Sequence, residues 1–170
     1  MTTIALNKNE IACDLQFTHP SGYKFKGTTK VHQIYNPAVY PKPFYVGFAG
    51  SVTAGQAGLN WLIDPVGKPP KSGGAEFVVL TDDKKMFTFT NPASWIAITD
   101  PHYSIGSGSQ YAAGAMQAGK SPLEAVKIAS KFDPNTGNGY KTFSTNEKGA
   151  TKAPNKLSKE DTLLQASTFD

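Results

Sequence analysis

Short apolar runs, broken by glycine, proline and asparagine turns, fill most of the chain, and helical periodicity enters at only three places. Residues 2–6 (TTIAL) and 11–16 (IACDLQ) flank Asn7-Lys8-Asn9, so they predict two strands joined by a tight turn. Within the second run, alternation sets Ile11, Cys13 and Leu15 on one face and Ala12, Asp14 and Gln16 on the other. Cys13 is therefore expected in the core and Asp14 facing a cleft. Residues 29–35 read as a later strand, and residues 44–50 (FYVGFAG) as an apolar strand running into glycine. Residues 76–81 and 85–90 lie either side of Asp82-Asp83-Lys84 and predict a hairpin. Residues 95–99 form a further strand, and the run from Tyr103 turns through Gly106-Ser107-Gly108 towards a helix.

The three helical stretches differ in character. Residues 52–63 (VTAGQAGLNWLI) predict a short helix with Leu59, Leu62 and Ile63 on one face, followed by a loop over 64–74. Residues 107–118 make a small-residue helix suited to close packing and ended by Gly119. Ser121-Pro122-Leu123-Glu124 then carries the signature of a helix start: serine as N-cap, proline at the first helical position and glutamate three residues after the cap. That helix is expected to run to about residue 132. Beyond residue 139 apolar content falls and Lys148, Lys152, Lys156 and Lys159 recur. The pattern predicts an α+β domain over residues 1–139, with residues 140–170 as a polar C-terminal extension or arm of the same domain.

Composition narrows the function classes. A length of 170 residues suits one domain with a two-layer core. No run approaches the roughly 18 apolar residues of a membrane span, and no basic stretch followed by an apolar one opens the chain, so a cytoplasmic location and no membrane partner are expected. The single cysteine excludes an internal disulfide and a multi-cysteine zinc site. His19, His32 and His102 are scattered and outline no metal site. The net charge of +4 rests entirely on 17 lysines with no arginine. Without arginine's planar fork, and with the lysines dispersed, a nucleic-acid partner is not expected.

The chemistry starts at Met1-Thr2-Thr3-Ile4. Removing the methionine would leave a threonine that carries both a hydroxyl nucleophile and an α-amine, and an amine of pKa about 7.7–8.0 is matched to the work of a general base. A retained methionine would block that amine. Together with the strand turning at Gly47 and Gly50, Lys30 at the start of the 29–35 strand, Asp14, and Ile105-Gly106-Ser107-Gly108-Ser109 before a helix, the start of the chain resembles the N-terminal nucleophile hydrolases of the proteasome type. It looks most like the bacterial HslV peptidases, and closest to the short HslV-like proteins of tailed bacteriophages, over residues 2 to about 139.

The resemblance implies a four-layer αββα sandwich. The first helical layer would be shortened, because residues 50–76 cannot hold the long helix pair that HslV carries there, which also puts docking of a partner ATPase in doubt. It implies Thr2 as nucleophile, Lys30 tuning it, Asp14 pairing with Lys30, Gly47 as an oxyanion donor through its N–H, and Ser107 bonding the amine. No cofactor is required. A structural monovalent or divalent cation would bind through the carbonyls of Ser130, Asp133 and Thr136. The partners implied are further copies of the chain in a cyclic homo-oligomer and a peptide or protein substrate. The helix at 107–118, Tyr40, Phe44, Trp61 and the polar tail supply contacts for the ring. The alternative implied is a non-catalytic ring-forming or virion protein of a phage, partnered by other virion proteins in the host cytoplasm or the particle.

Overall fold

Alternation along the strands sorts their side chains into three cores that separate four layers. The computed structural model describes residues 2–145. One antiparallel sheet contains β1 (Thr3–Asn7), β2 (Glu10–Asp14), β10 (His102–Gly106) and β11 (Tyr140–Ser144), in the order β10-β1-β2-β11. A second contains β5 (Val31–Ile34), β6 (Phe44–Gly50), β7 (Ala75–Thr81), β8 (Met86–Phe89) and β9 (Ile96–Ile98), in chain order. Between them in sequence, β3 (Gln16–Thr18) and β4 (Lys24–Lys26) pair as a separate hairpin. The turn from β1 to β2 is set by Asn7, whose Oδ1 accepts the N–H groups of Asn9 and Glu10, both at 2.9 Å.

Ile4, Leu6, Ile11 and Cys13 face Val31, Tyr45, Ala49, Val78 and Leu80, so the two sheets pack on each other. The other face of the first sheet presents Ala5 and Ala12 to Ala112, Ala115 and Met116 of α2 (Ser109–Gln117) and to Ala125, Val126 and Ala129 of α3 (Pro122–Ala129). Small residues on both sides let these helices lie close to the strands. On the far side, Phe44, Val46, Phe77, Val79 and Phe89 pack against Leu59 and Leu62 of α1 (Val52–Ile63). Each fully buried leucine there contributes about 1.5–3 kcal/mol. Gly58 explains why a helix tolerates glycine at this point, since an added Cβ would lie 2.4 Å from the Phe77 ring. The result is the αββα sandwich, with its first helical layer reduced to α1 and the loop at 64–74.

Two boundaries and one residue differ from expectation. α3 ends at Ala129, short of the expected residue 132, because the chain tightens there: Lys131 and Phe132 N–H bond the carbonyls three residues back, Ile128 at 3.0 Å and Ala129 at 3.1 Å, before Pro134. Tyr140–Ser144 belongs to the domain as β11, paired to β2, with Tyr140 packing on the helical side and Phe143 between the sheets. The rest of the expected extension, 146–170, lies outside the described residues. Phe44, expected to serve subunit contacts, is fully buried under α1. No helix among the described residues is long and apolar enough to cross a membrane.

Candidate active site

Strand β10 fixes the backbone at which the candidate nucleophile sits. Its last residue, Gly106, has φ +96°, and a Cβ there would lie 1.7 Å from the Thr2 carbonyl oxygen. That close approach brings Ser107 N–H onto the same oxygen at 2.8 Å, and the register sets Thr3 opposite Gly106. Thr2 lines a cleft of about 640 Å³, with 9% of its surface exposed. Ser104, Ser107, Ser109, Ala49, Gly50, Gly74 and Glu76 are among the residues that share this lining.

Beneath Thr2 lies a buried ion pair. Lys30 Nζ donates to Asp14 Oδ1 at 2.8 Å, and Thr3 N–H donates to the same oxygen at 3.0 Å. Asp14 Oδ2 accepts Gln16 N–H at 3.2 Å and Gly137 N–H at 3.1 Å. The carboxylate is 0% exposed, so Asp14 does not face an open cleft as alternation predicted; the loop that carries Gly137 covers it. Burial pushes the Lys30 ammonium below the usual lysine range, and the charge and hydrogen bond of Asp14 pull the other way. The Phe17 ring lies over the ammonium, its centroid 5.1 Å from Nζ. Cys13 is fully buried in the inter-sheet core, and burial raises its thiol's pKa, which is the environment of a packing residue.

A second network joins the start of β1 to the loop after α3. Ser107 Oγ and Thr136 Oγ1 each donate to Asp133 Oδ2 at 2.6 Å, and Asn135 N–H donates to Oδ1 at 3.0 Å. Thr136 Oγ1 also lies 2.6 Å from Thr3 Oγ1. With the Thr136 proton on the carboxylate, Thr3 is the donor of that contact, and its own oxygen accepts Gly108 N–H at 3.0 Å. Burial alone would raise the Asp133 carboxyl, but these hydrogen bonds outweigh it and hold the group below the ordinary aspartate value of 3.8.

The structure thus brings Thr2, Asp14, Lys30 and Ser107 together, with Thr2 and Ser107 in the cleft wall and the ion pair under it. Gly47 is placed differently. Ser51 N–H bonds the Gly74 carbonyl, so by the alternation of an antiparallel ladder Gly47 turns its N–H towards β7, opposite Val78. Gly50 turns its N–H to the opposite edge, where β5 begins only at Val31, paired with Gly47. Of these two glycines, Gly50, with φ +97°, is the one in the cleft lining. At the loop expected to hold a cation, Ser130 Oγ donates to the Lys127 carbonyl and the Asp133 carbonyl accepts Thr136 N–H at 3.1 Å. The neighbouring Pro134 carbonyl takes two donors, Lys24 Nζ at 2.6 Å and Gln16 Nε2 at 2.9 Å. Sequence reasoning placed Asp133 and Thr136 here for their carbonyls and missed their side chains, along with the Thr3 hydroxyl. The Asp-x-x-Thr spacing of residues 133–136 carried a signal for a side-chain-closed turn, but not for its contact with Ser107.

No protein-family model matches the chain, and no curated protein matches it in sequence. Solved structures do match in shape. HslV of Trypanosoma brucei is 17% identical with a TM-score of 0.59, covering 84% of this chain and 98% of that one. The BPH protein of Thiobacillus denitrificans, solved in complex with epoxomicin, is 18% identical with a TM-score of 0.62, covering 84% and 96%. An Anbu mutant from a Hyphomicrobium species is 12% identical with a TM-score of 0.64, covering 98% and 93%. At this identity the likeness establishes architecture: the chain has the αββα fold of the HslV-type N-terminal nucleophile hydrolases.

Proposed function

We propose that the chain is a threonine peptidase of the HslV kind, an amide-bond hydrolase that acts once Met1 is removed. The observation that carries this reading is the buried Lys30–Asp14 pair set directly under the Thr2–Thr3 backbone. A buried ion pair is a poor source of stability, because desolvating two charges costs several kcal/mol per ion. An ammonium beside a hydroxyl and an amine, in contrast, favours the ionised hydroxyl and the neutral amine that nucleophilic attack needs.

In the proposed cycle, Thr2 Oγ attacks the substrate carbonyl carbon while its proton passes to the Thr2 α-amine. The C–O bond forms and the carbonyl electrons move to oxygen. We assign the oxyanion donor to Gly50 N–H rather than to Gly47, whose N–H is committed to the ladder with β7. Collapse of the intermediate breaks the C–N bond, and the leaving nitrogen takes the proton from the ammonium. Water then attacks the resulting ester, gives a proton to the amine, and returns Thr2 Oγ–H as the acid departs. In this reading Ser107, whose hydroxyl donates to Asp133 Oδ2, would accept a proton of the Thr2 amine. No step is routed through a cation at the Ser130, Asp133 and Thr136 carbonyls; a rise in melting temperature on titration with Na⁺, K⁺ or Mg²⁺ would be the sign of one. The assembly proposed with this activity is a cyclic homo-oligomer.

The test is covalent labelling and turnover. Epoxomicin, the ligand of the BPH neighbour, and a panel of fluorogenic peptide amides should respectively modify and be cleaved by the processed protein, and Thr2→Ala should abolish both. A processed protein that neither labels nor turns over any of them would leave the non-catalytic ring or virion reading in its place.

A further inference from the structure

Among the described residues, the cleft beside Thr2 carries one charged side chain. Its lining is otherwise small and neutral: glycine at 50, 74 and 106 and serine at 104, 107 and 109 form most of the wall. On a chain with a net charge of +4, no lysine among the described residues lines this cleft, and Glu76 does. Its position follows from β7. Ala75, Phe77 and Val79 point to the α1 side and Val78 and Leu80 between the sheets, so Glu76 lies on the inter-sheet face, opposite Ala49 in the register, at the end where the sheets open. Among the described residues its carboxylate meets one donor, the Tyr103 hydroxyl, which reaches Oε1 at 3.4 Å from the other sheet. Burial and the Glu76 charge both raise the Tyr103 phenol's pKa, so the hydroxyl keeps its proton and orients the carboxylate. The carboxylate thus stands in the cleft lining with no cationic partner among the described residues.

We infer that this cleft selects peptides by a cationic side chain, lysine or arginine, seated against Glu76. The inference rests on the amidohydrolase reading of Thr2 and adds the substrate class to it. Glycine and serine walls remove side-chain bulk around about 640 Å³ and so leave room for a lysine or arginine side chain. A carboxylate set in a cleft, where the walls focus its field, rewards an ammonium or guanidinium more than the same group would on an open surface.

Binding to the Thr2→Ala variant tests the inference without turnover. Fluorescent peptides that differ only in lysine, norleucine or glutamate at one position should bind with at least about a tenfold preference for lysine over norleucine, the size of one charge-assisted hydrogen bond. In Glu76→Gln the lysine-to-norleucine ratio should fall to about one, and in Glu76→Lys the glutamate peptide should become the preferred one. Equal binding of all three peptides, or a lysine preference that survives Glu76→Gln, overturns the inference. Turnover by the unmodified chain reports on the reading beneath it: cleavage without charge preference refutes the cationic subsite alone, and charge-selective binding without cleavage refutes the hydrolase alone.

Discussion

At the scale of single residues, Lys30 and Thr2 should separate stability from chemistry. Lys30→Ala leaves the Asp14 carboxylate buried with its countercharge gone, and breaking a buried pair in this way costs about 3–5 kcal/mol, so both melting temperature and turnover should fall. Thr2→Ala removes a hydroxyl from the cleft lining and should abolish turnover with little change in melting temperature. A Lys30→Ala protein that melts and cleaves like the parent would contradict the role given to the pair. Asp133 makes a pH prediction. Its carboxyl ionises at lower pH folded than unfolded, so the stability it contributes is present above 3.8 and is lost as pH falls through the folded value, where the unfolded chain has already taken up its proton. Asp133→Asn should therefore melt lower at neutral pH and show a weaker loss of stability on acidification than the parent. A parallel pair of melting curves down to pH 2 would count against the network.

The family resemblance pointed to Thr2, Asp14, Lys30 and Ser107 as neighbours, but the alternation of β2, which turned Asp14 towards an open cleft, gave no sign of the loop that covers it. What was not legible depends on partners far apart in the chain. The Thr3–Thr136 contact spans 133 residues, and nothing in either neighbourhood announces the other. Likewise, composition cannot tell Gly47 from Gly50, since which of them turns its N–H out of the ladder depends on hydrogen-bond phase and on where β5 begins.

At the scale of elements, the end of β10 is the most exacting. Gly106→Ala meets two penalties, a left-handed φ that costs about 1–3 kcal/mol by itself and a Cβ 1.7 Å from the Thr2 carbonyl. It should displace the Thr2 backbone and lose turnover even where the protein stays folded, which a near-native melting curve with absent activity would display. The start of α3 offers a milder case. Ser121 and Glu124 close a capping box with bonds of 3.2 and 3.0 Å, so Ser121→Ala should cost about 1 kcal/mol and leave turnover unchanged. Helix starts were readable because capping chemistry is written in four adjacent residues. Strand β11 was not, because its five residues sit at the edge of the sheet under a polar, lysine-bearing composition, and only pairing with β2 reveals Tyr140 and Phe143 as inward-facing.

At the scale of the whole molecule, alternation gives each strand two faces, while the stacking into four layers, expected from the family resemblance, is read from the three cores, and α1 with its following loop accounts for the reduced outer layer. Assembly is an expectation of the proposal: light scattering at micromolar concentration should return a cyclic homo-oligomer, and a monomer mass would count against it. Because β11 is part of the first sheet, truncation after residue 139 would remove an edge strand, so the contribution of the tail is tested by truncation after Thr145. Everything proposed for the site nevertheless turns on one covalent fact, the free amine of Thr2. Intact mass of the native protein measures it directly. The account predicts the mass of the chain less one methionine residue, shifted by one equivalent of epoxomicin after treatment and unshifted in Thr2→Ala; a mass that retains methionine throughout would contradict it.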